Sequence, residues 1–132
     1  MIYGLYRAAT IAGLPLINGL LAKRLRGGKE DRLRINERRG RTTRPRPDGR
    51  LIWAHAASVG ESLSLLPLID RMTERWPDLK VLVTTGTVTS AALMAERLPA
   101  SAFHQFIPLD RPAWAARFLD HWKPDLVIWA ES

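Results

Sequence analysis

The sequence predicts an α/β domain of the doubly wound class, a parallel sheet with helices on both faces. Two observations predict it. After Gly49, short apolar runs alternate with helical stretches, the pattern of strand–helix–strand units. The runs are apolar throughout rather than every second residue, as strands buried on both faces require. A length of 132 residues sets an expectation of one domain, since domains typically hold about 100–200 residues.

Each element has its own justification. LIWAHAA (51–57) reads as a buried strand, and SVGESLSLLPLIDRMTERW (58–76) as a helix in which Leu63, Leu66, Ile69 and Met72 recur at helical spacing. Trp-Pro-Asp then ends it. VLVTT (81–85) reads as a second buried strand, TVTSAALMAERL (87–98) as a second helix and HQFIPLD (104–110) as a third strand. RPAWAARFLDHW (111–122) opens with proline in its first turn, as helices do, and PDLVIWAE (124–131) reads as a fourth strand. Crossovers between these strands are expected to be right-handed. The sequence stops at Ser132, after a strand with no covering helix, which reads as a truncation.

Composition excludes several classes. Apolar residues make up 46% and charged residues 25%, near the globular average, so disordered, collagen-like and low-complexity chains are excluded. With no cysteine, disulfides, Cys-based zinc sites and thiol catalysis are excluded together. The net charge of +7 is unevenly placed: residues 1–50 hold 13 Lys and Arg against 4 Asp and Glu, a net of +9, whereas residues 51–132 hold 7 against 9, a net of −2.

Ala8 to Ala22 is a run of 15 residues without formal charge, preceded by Arg7 and followed by Lys23, Arg24, Arg26 and Lys29. At about 1.5 Å per residue it covers about 22 Å, short of the roughly 30 Å hydrocarbon core. A cleaved signal peptide fits poorly, because no small-x-small site follows the run. Residues 1–26 therefore read as a membrane-associated segment with a basic flank, which the positive-inside tendency places on the cytoplasmic side and which attracts anionic headgroups. Residues 27–50 read as a basic linker, with a short helix expected around residues 29–39. Nucleic acid is not the expected partner, because no aromatic residue interleaves these arginines as a stacking platform.

In doubly wound sheets ligands bind beyond the carboxyl ends of the strands, here residues 57–61, 85–90, 108–111 and 130–132. The first turn, HAASVGES (55–62), sets Ser58 and Glu61 at capping-box spacing. Glu61 is then either a helix cap or a carboxylate presented to a ligand as a general base, and spacing leaves both open. Ser58 and Gly60 belong to the same candidate site. The second turn, TTGTVTS (84–90), offers Thr85, Gly86 and Thr87 at a helix start, suited to an anion or to plain capping. Neither turn carries a Walker or dinucleotide fingerprint. His55, His104 and His121 lack metal-ligand spacing and read as structural. No cofactor and no metal are expected.

HAASVGES, VTTGTVTS (83–90), HQFIPLD-x-P (104–112), RFLDHWKPDL (117–126) and the terminal ES occur in one order, preceded by ERRG (37–40). Together they resemble the N-terminal half of the 3-deoxy-D-manno-octulosonic acid (Kdo) transferases, over essentially the whole chain. The resemblance implies a Rossmann-like domain, 51–132, forming the N-terminal half of a GT-B glycosyltransferase at the bacterial inner membrane. It implies transfer of Kdo from CMP-Kdo to lipid IVA, a lipid A precursor, in lipopolysaccharide synthesis, with inversion. Glu61 matches the family's proposed base, and Glu131 a glutamate that supports the transition state. Members of the family continue into a nucleotide-binding domain that holds the donor, so the 132-residue fragment alone is expected to be inactive. The alternative is a non-catalytic, membrane-tethered module that binds an acceptor lipid or a protein, with Glu61 only a cap.

Overall fold

The computed structural model describes residue 31 and residues 33–130. The expected membrane-associated segment, its basic flank and Glu131 lie outside the described residues. Among those described, no helix is long and apolar enough to cross a membrane.

The described chain runs through a short 3-10 helix (Ile35–Arg39), β1 (Leu51–Ala56), α1 (Val59–Arg75), β2 (Lys80–Thr85), α2 (Val88–Arg97), β3 (Ala102–Phe106), α3 (Pro112–Trp122) and β4 (Leu126–Ala130). All strand pairs are parallel, in the order β3-β2-β1-β4. The fold is thus a Rossmann-like parallel sheet with helices. The register sets Trp53 beside Leu82 and Val127, and Val83 beside His104. One face of the sheet packs Ala54, Val81 and Val83 against Leu66 and Ile69 of α1 and Met94 of α2. The other packs Leu51, Leu82 and Phe103 against Phe118 and Trp122 of α3. Helices therefore cover both faces, as the apolar runs require.

Four expectations change. Leu65, rather than Leu63, faces the core of α1, and Leu63 is exposed. The third strand lies earlier than residues 104–110. Ile107 N–H still donates to Thr85, but Pro108 has no N–H to continue the ladder and Leu109 N–H turns to the Arg38 carbonyl. The fourth strand is not covered on both faces among the described residues, where it is the last strand of the sheet and Leu126 and Trp129 are each more than half exposed. Finally, residues 34–41 do not behave as a solvated linker. Arg38 and Gly40 are buried, and the ERRG stretch packs along the outer edge of β3 and against α3.

The contacts of that stretch explain its composition. Glu37 Oε1 accepts the Phe106 N–H at 2.8 Å, and Arg34 Nη2 donates to the His104 carbonyl at 3.0 Å. Both are outward-facing groups of an edge strand, so two side chains stand where a fifth strand would. Arg34 and Glu37 are joined by two 2.7 Å bonds. Arg38 Nη1 donates to the Ile107 carbonyl at 2.6 Å. Gly40 has φ +75° and lies so close to α3 that a Cβ there would fall 2.2 Å from the Trp114 carbonyl oxygen; glycine is required on both counts.

Candidate functional site

β1 pairs with β2 on one side and β4 on the other, so the direction of winding reverses between β1 and β4. The crevice outside the carboxyl ends at such a reversal is where open α/β sheets bind ligands. The chain leaves β1 at Ala56, passes through the exposed residues 57–60 and enters α1 at Val59. This brings Ser58, Gly60 and Glu61 to the reversal point.

Glu61 is held there by a complete capping box. Ser58 Oγ accepts from Glu61 N–H at 3.2 Å, and Glu61 Oε2 accepts from Ser58 N–H at 3.0 Å. The carboxylate thus sits over the first turn of a 17-residue helix, whose N-terminal amides favour negative charge. It is only partly buried. A Cβ at Gly60 would meet nothing nearer than Ser58 Oγ at 4.0 Å, so the turn has room for a ligand to approach the backbone.

The neighbouring turn differs. Thr85 is fully buried, and its Oγ1 lies 2.7 Å from His104 Nε2, so it points into the fold. Thr87 caps α2, accepting from Ser90 N–H at 3.1 Å. A Cβ at Gly86 would lie 4.0 Å from Arg38 Nη1, which places a buried guanidinium beside this turn. The sequence placed Thr85, Gly86 and Thr87 at the carboxyl end but missed Arg38; glutamate and arginine inside an otherwise solvated basic run were the available signal.

The histidines are engaged within the fold. His104 Nδ1 faces Arg34 Nη2 at 3.0 Å. A guanidinium can only donate, so Nδ1 accepts and Nε2–H donates to Thr85. Burial, followed by the Arg34 charge, lowers the His104 pKa from 6.5 to about 3. His55 Nδ1 lies 2.8 Å from Thr84 Oγ1, which also accepts from Trp53 Nε1 at 2.8 Å, and the His55 ring packs 4.2 Å from that of Trp129. His121 Nε2 donates to the Arg44 carbonyl at 2.7 Å. Among the described residues no three His, Cys, Asp or Glu side chains are grouped to hold a metal.

A groove of about 800 Å³ lies elsewhere, along the β3 edge between α2 and residues 33–44. Met94, Leu98 and Phe103 line its apolar side and Arg41 and Arg44 its polar side. It does not include Glu61.

Residues 33–132 match the family model of 3-deoxy-D-manno-octulosonic-acid transferase (kdotransferase). The chain belongs to the Kdo transferase family. It is 42% identical over 131 residues to a probable mitochondrial 3-deoxy-D-manno-octulosonic acid transferase of Arabidopsis thaliana, covering 99% of this chain and 29% of the relative. It is 42% identical over 129 residues to the Rickettsia bellii transferase of the same name, covering 97% and 31%. With the Haemophilus influenzae enzyme the identity is 36% over 93 residues, 70% of this chain and 21% of the relative. The chain therefore spans about a third or less of these Kdo transferases. No solved structure matches it.

Proposed function

We propose that the chain is the acceptor-side half of a GT-B glycosyltransferase that moves Kdo from CMP-Kdo to lipid IVA, with Glu61 as the general base. The position of the Glu61 carboxylate at the reversal of strand order, on the first turn of α1, carries this reading; membership of the Kdo transferase family supports it. Glu61 takes the proton of the acceptor sugar hydroxyl as the oxygen attacks the anomeric carbon of Kdo. The bond from that carbon to the phosphate oxygen breaks, its electron pair leaves with CMP, and one displacement inverts the configuration. Glu131 has the supporting role at the transition state. The nucleotide of the donor is held by a second domain, and the apolar segment 8–22 with its basic flank keeps the chain at the cytoplasmic face of the inner membrane, beside the lipid acceptor.

A Glu61→Gln substitution in the full transferase separates base from cap. Glutamine keeps the carbonyl oxygen that accepts from Ser58 N–H and cannot take the proton. Transfer of Kdo to lipid IVA is expected to fall by about 10²–10⁴-fold with an unchanged melting temperature. Retained transfer would show that Glu61 is a cap and no more.

A further inference from the structure

Three arginines gather where the ERRG stretch meets α3. Gly40 sits against the Trp114 carbonyl, which brings Arg41, the next residue, to the first turns of α3. Arg117 Nη1 donates to the Arg39 carbonyl at 2.8 Å, one residue from Gly40. Arg111 is the N-cap residue of α3; its guanidinium lies 5.3 Å from the Trp114 ring and its Nε is buried with no hydrogen-bond partner. Among the described residues no carboxylate lies within ion-pair distance of any of the three. Arg117 feels the crowding: burial first, then the charges of Arg41 and Arg111, disfavour its charged form.

Like charges held together cost free energy unless a counter-charge joins them; none does among the described residues, and two of the three are fixed by a carbonyl and an aromatic ring. The 11-residue helix beneath them adds the positive end of its dipole, and its first turn contains no acidic residue and no side-chain cap. We propose that Arg41, Arg111 and Arg117 form a binding site for a phosphate monoester. Planar guanidinium forks match phosphate oxygens in pairs and stay charged at neutral pH. The site stands past the carboxyl end of β3, the same end of the sheet as Glu61. β2 alone separates β3 from β1, so the ends of those two strands are roughly 10 Å apart, with α1 and α3 leaving them on opposite faces of the sheet. The ligand proposed for the site is a phosphorylated glycolipid acceptor that meets this end of the sheet, with a phosphate at the arginines. The identity of that ligand rests on the function proposed above; the phosphate site itself does not.

The test is vesicle binding by the full chain without any donor, so its outcome is independent of Glu61 as a base. Neutral phosphatidylcholine vesicles are doped with a diphosphorylated acyl disaccharide, with its dephosphorylated form, or with phosphatidylglycerol. Arg111→Gln/Arg117→Gln is expected to weaken binding to the phosphorylated disaccharide by about tenfold or more, since charged hydrogen bonds contribute about 1.5–3 kcal/mol each. Arg71→Gln/Arg97→Gln, which removes the same charge elsewhere, should change it by less than about twofold. Among the described residues the Arg41 side chain makes no hydrogen bond, so Arg41→Gln, expected to lose about threefold, guards against a folding defect in the double variant. An equal loss on phosphatidylglycerol vesicles, whose headgroup is a phosphodiester, overturns the monoester site in favour of general headgroup attraction; a loss confined to the phosphorylated disaccharide supports it. Equal binding by the two double variants overturns the proposal. Loss of binding alongside retained transfer in Glu61→Gln would leave the phosphate site standing without the base.

Discussion

Among the described residues strands β3 and β4 bound the same sheet and are both five residues long, but their surroundings are opposite. The edge of β3 is sealed: Glu37 and Arg34 satisfy its outward N–H and C=O groups, the Arg34 guanidinium lies 4.6 Å from the Phe106 ring, and Phe106 is buried. The edge of β4 carries Leu126, Val127 and Trp129 in the open. An apolar edge is a template for further pairing, and proteins normally blunt it with charge or cover it. At β3 that treatment is given by residues from a stretch of sequence whose composition alone suggests a tether. Net charge is thus a poor guide to whether a segment is part of a fold.

Substitutions along the two edges sharpen the contrast. Gly40→Ala should have the largest effect, because it sets a methyl group on the Trp114 carbonyl and strains a left-handed backbone; a loss of about 2–5 kcal/mol is expected by denaturant unfolding. A loss under about 0.5 kcal/mol would mean that the ERRG stretch does not grip α3. Next, Glu37→Ala should cost about 1–3 kcal/mol by leaving the Phe106 N–H and the Arg34 Nε–H without their acceptor. On the open edge Val127→Thr should stay within about 0.5 kcal/mol. Equal costs at Glu37 and Val127 would erase the difference between the edges.

The last prediction concerns pH. The folded chain keeps His104 neutral down to about pH 3, whereas the unfolded chain binds that proton near 6.5. Protons therefore favour unfolding inside that window. Stability is full above 6.5 and falls as the pH drops towards 3, by up to about 1.4 kcal/mol per pH unit. His104→Gln should flatten this dependence in melting curves between pH 7 and 5. A variant as acid-sensitive as the parent would show that other groups govern the slope.

Much of this molecule was legible in its sequence. The alternation of apolar runs and helices gave the sheet class, and the S-x-x-E spacing gave the cap that the structure contains. Local rules suffice there because the interacting groups are three residues apart. The strand limits of β3 needed the register against β2, since Ala102 joins the sheet only as the partner of Val81. The place of β4 beside β1 followed from strand order, which no periodicity encodes. The roles of Arg34, Glu37, Arg38 and Gly40 were hidden because their partners lie far along the chain. Whether Glu61 is more than a cap was open on spacing, and geometry adds its position at the reversal point.

That separation has a consequence for the order in which the fold is made. The contacts of Arg34 and the ERRG stretch join residues 69, 70 and 78 positions apart, among the longest loops the domain closes. A chain made from its N-terminus presents these arginines early, and their partners on β3 and α3 follow only after β1 and β2 have been made. Because loop-closure entropy is lost before such contacts form, the seal on β3 is a late event in folding. Until it closes, the growing sheet has an unprotected growing edge, and a partly made chain is most prone to pair with its neighbours at that stage.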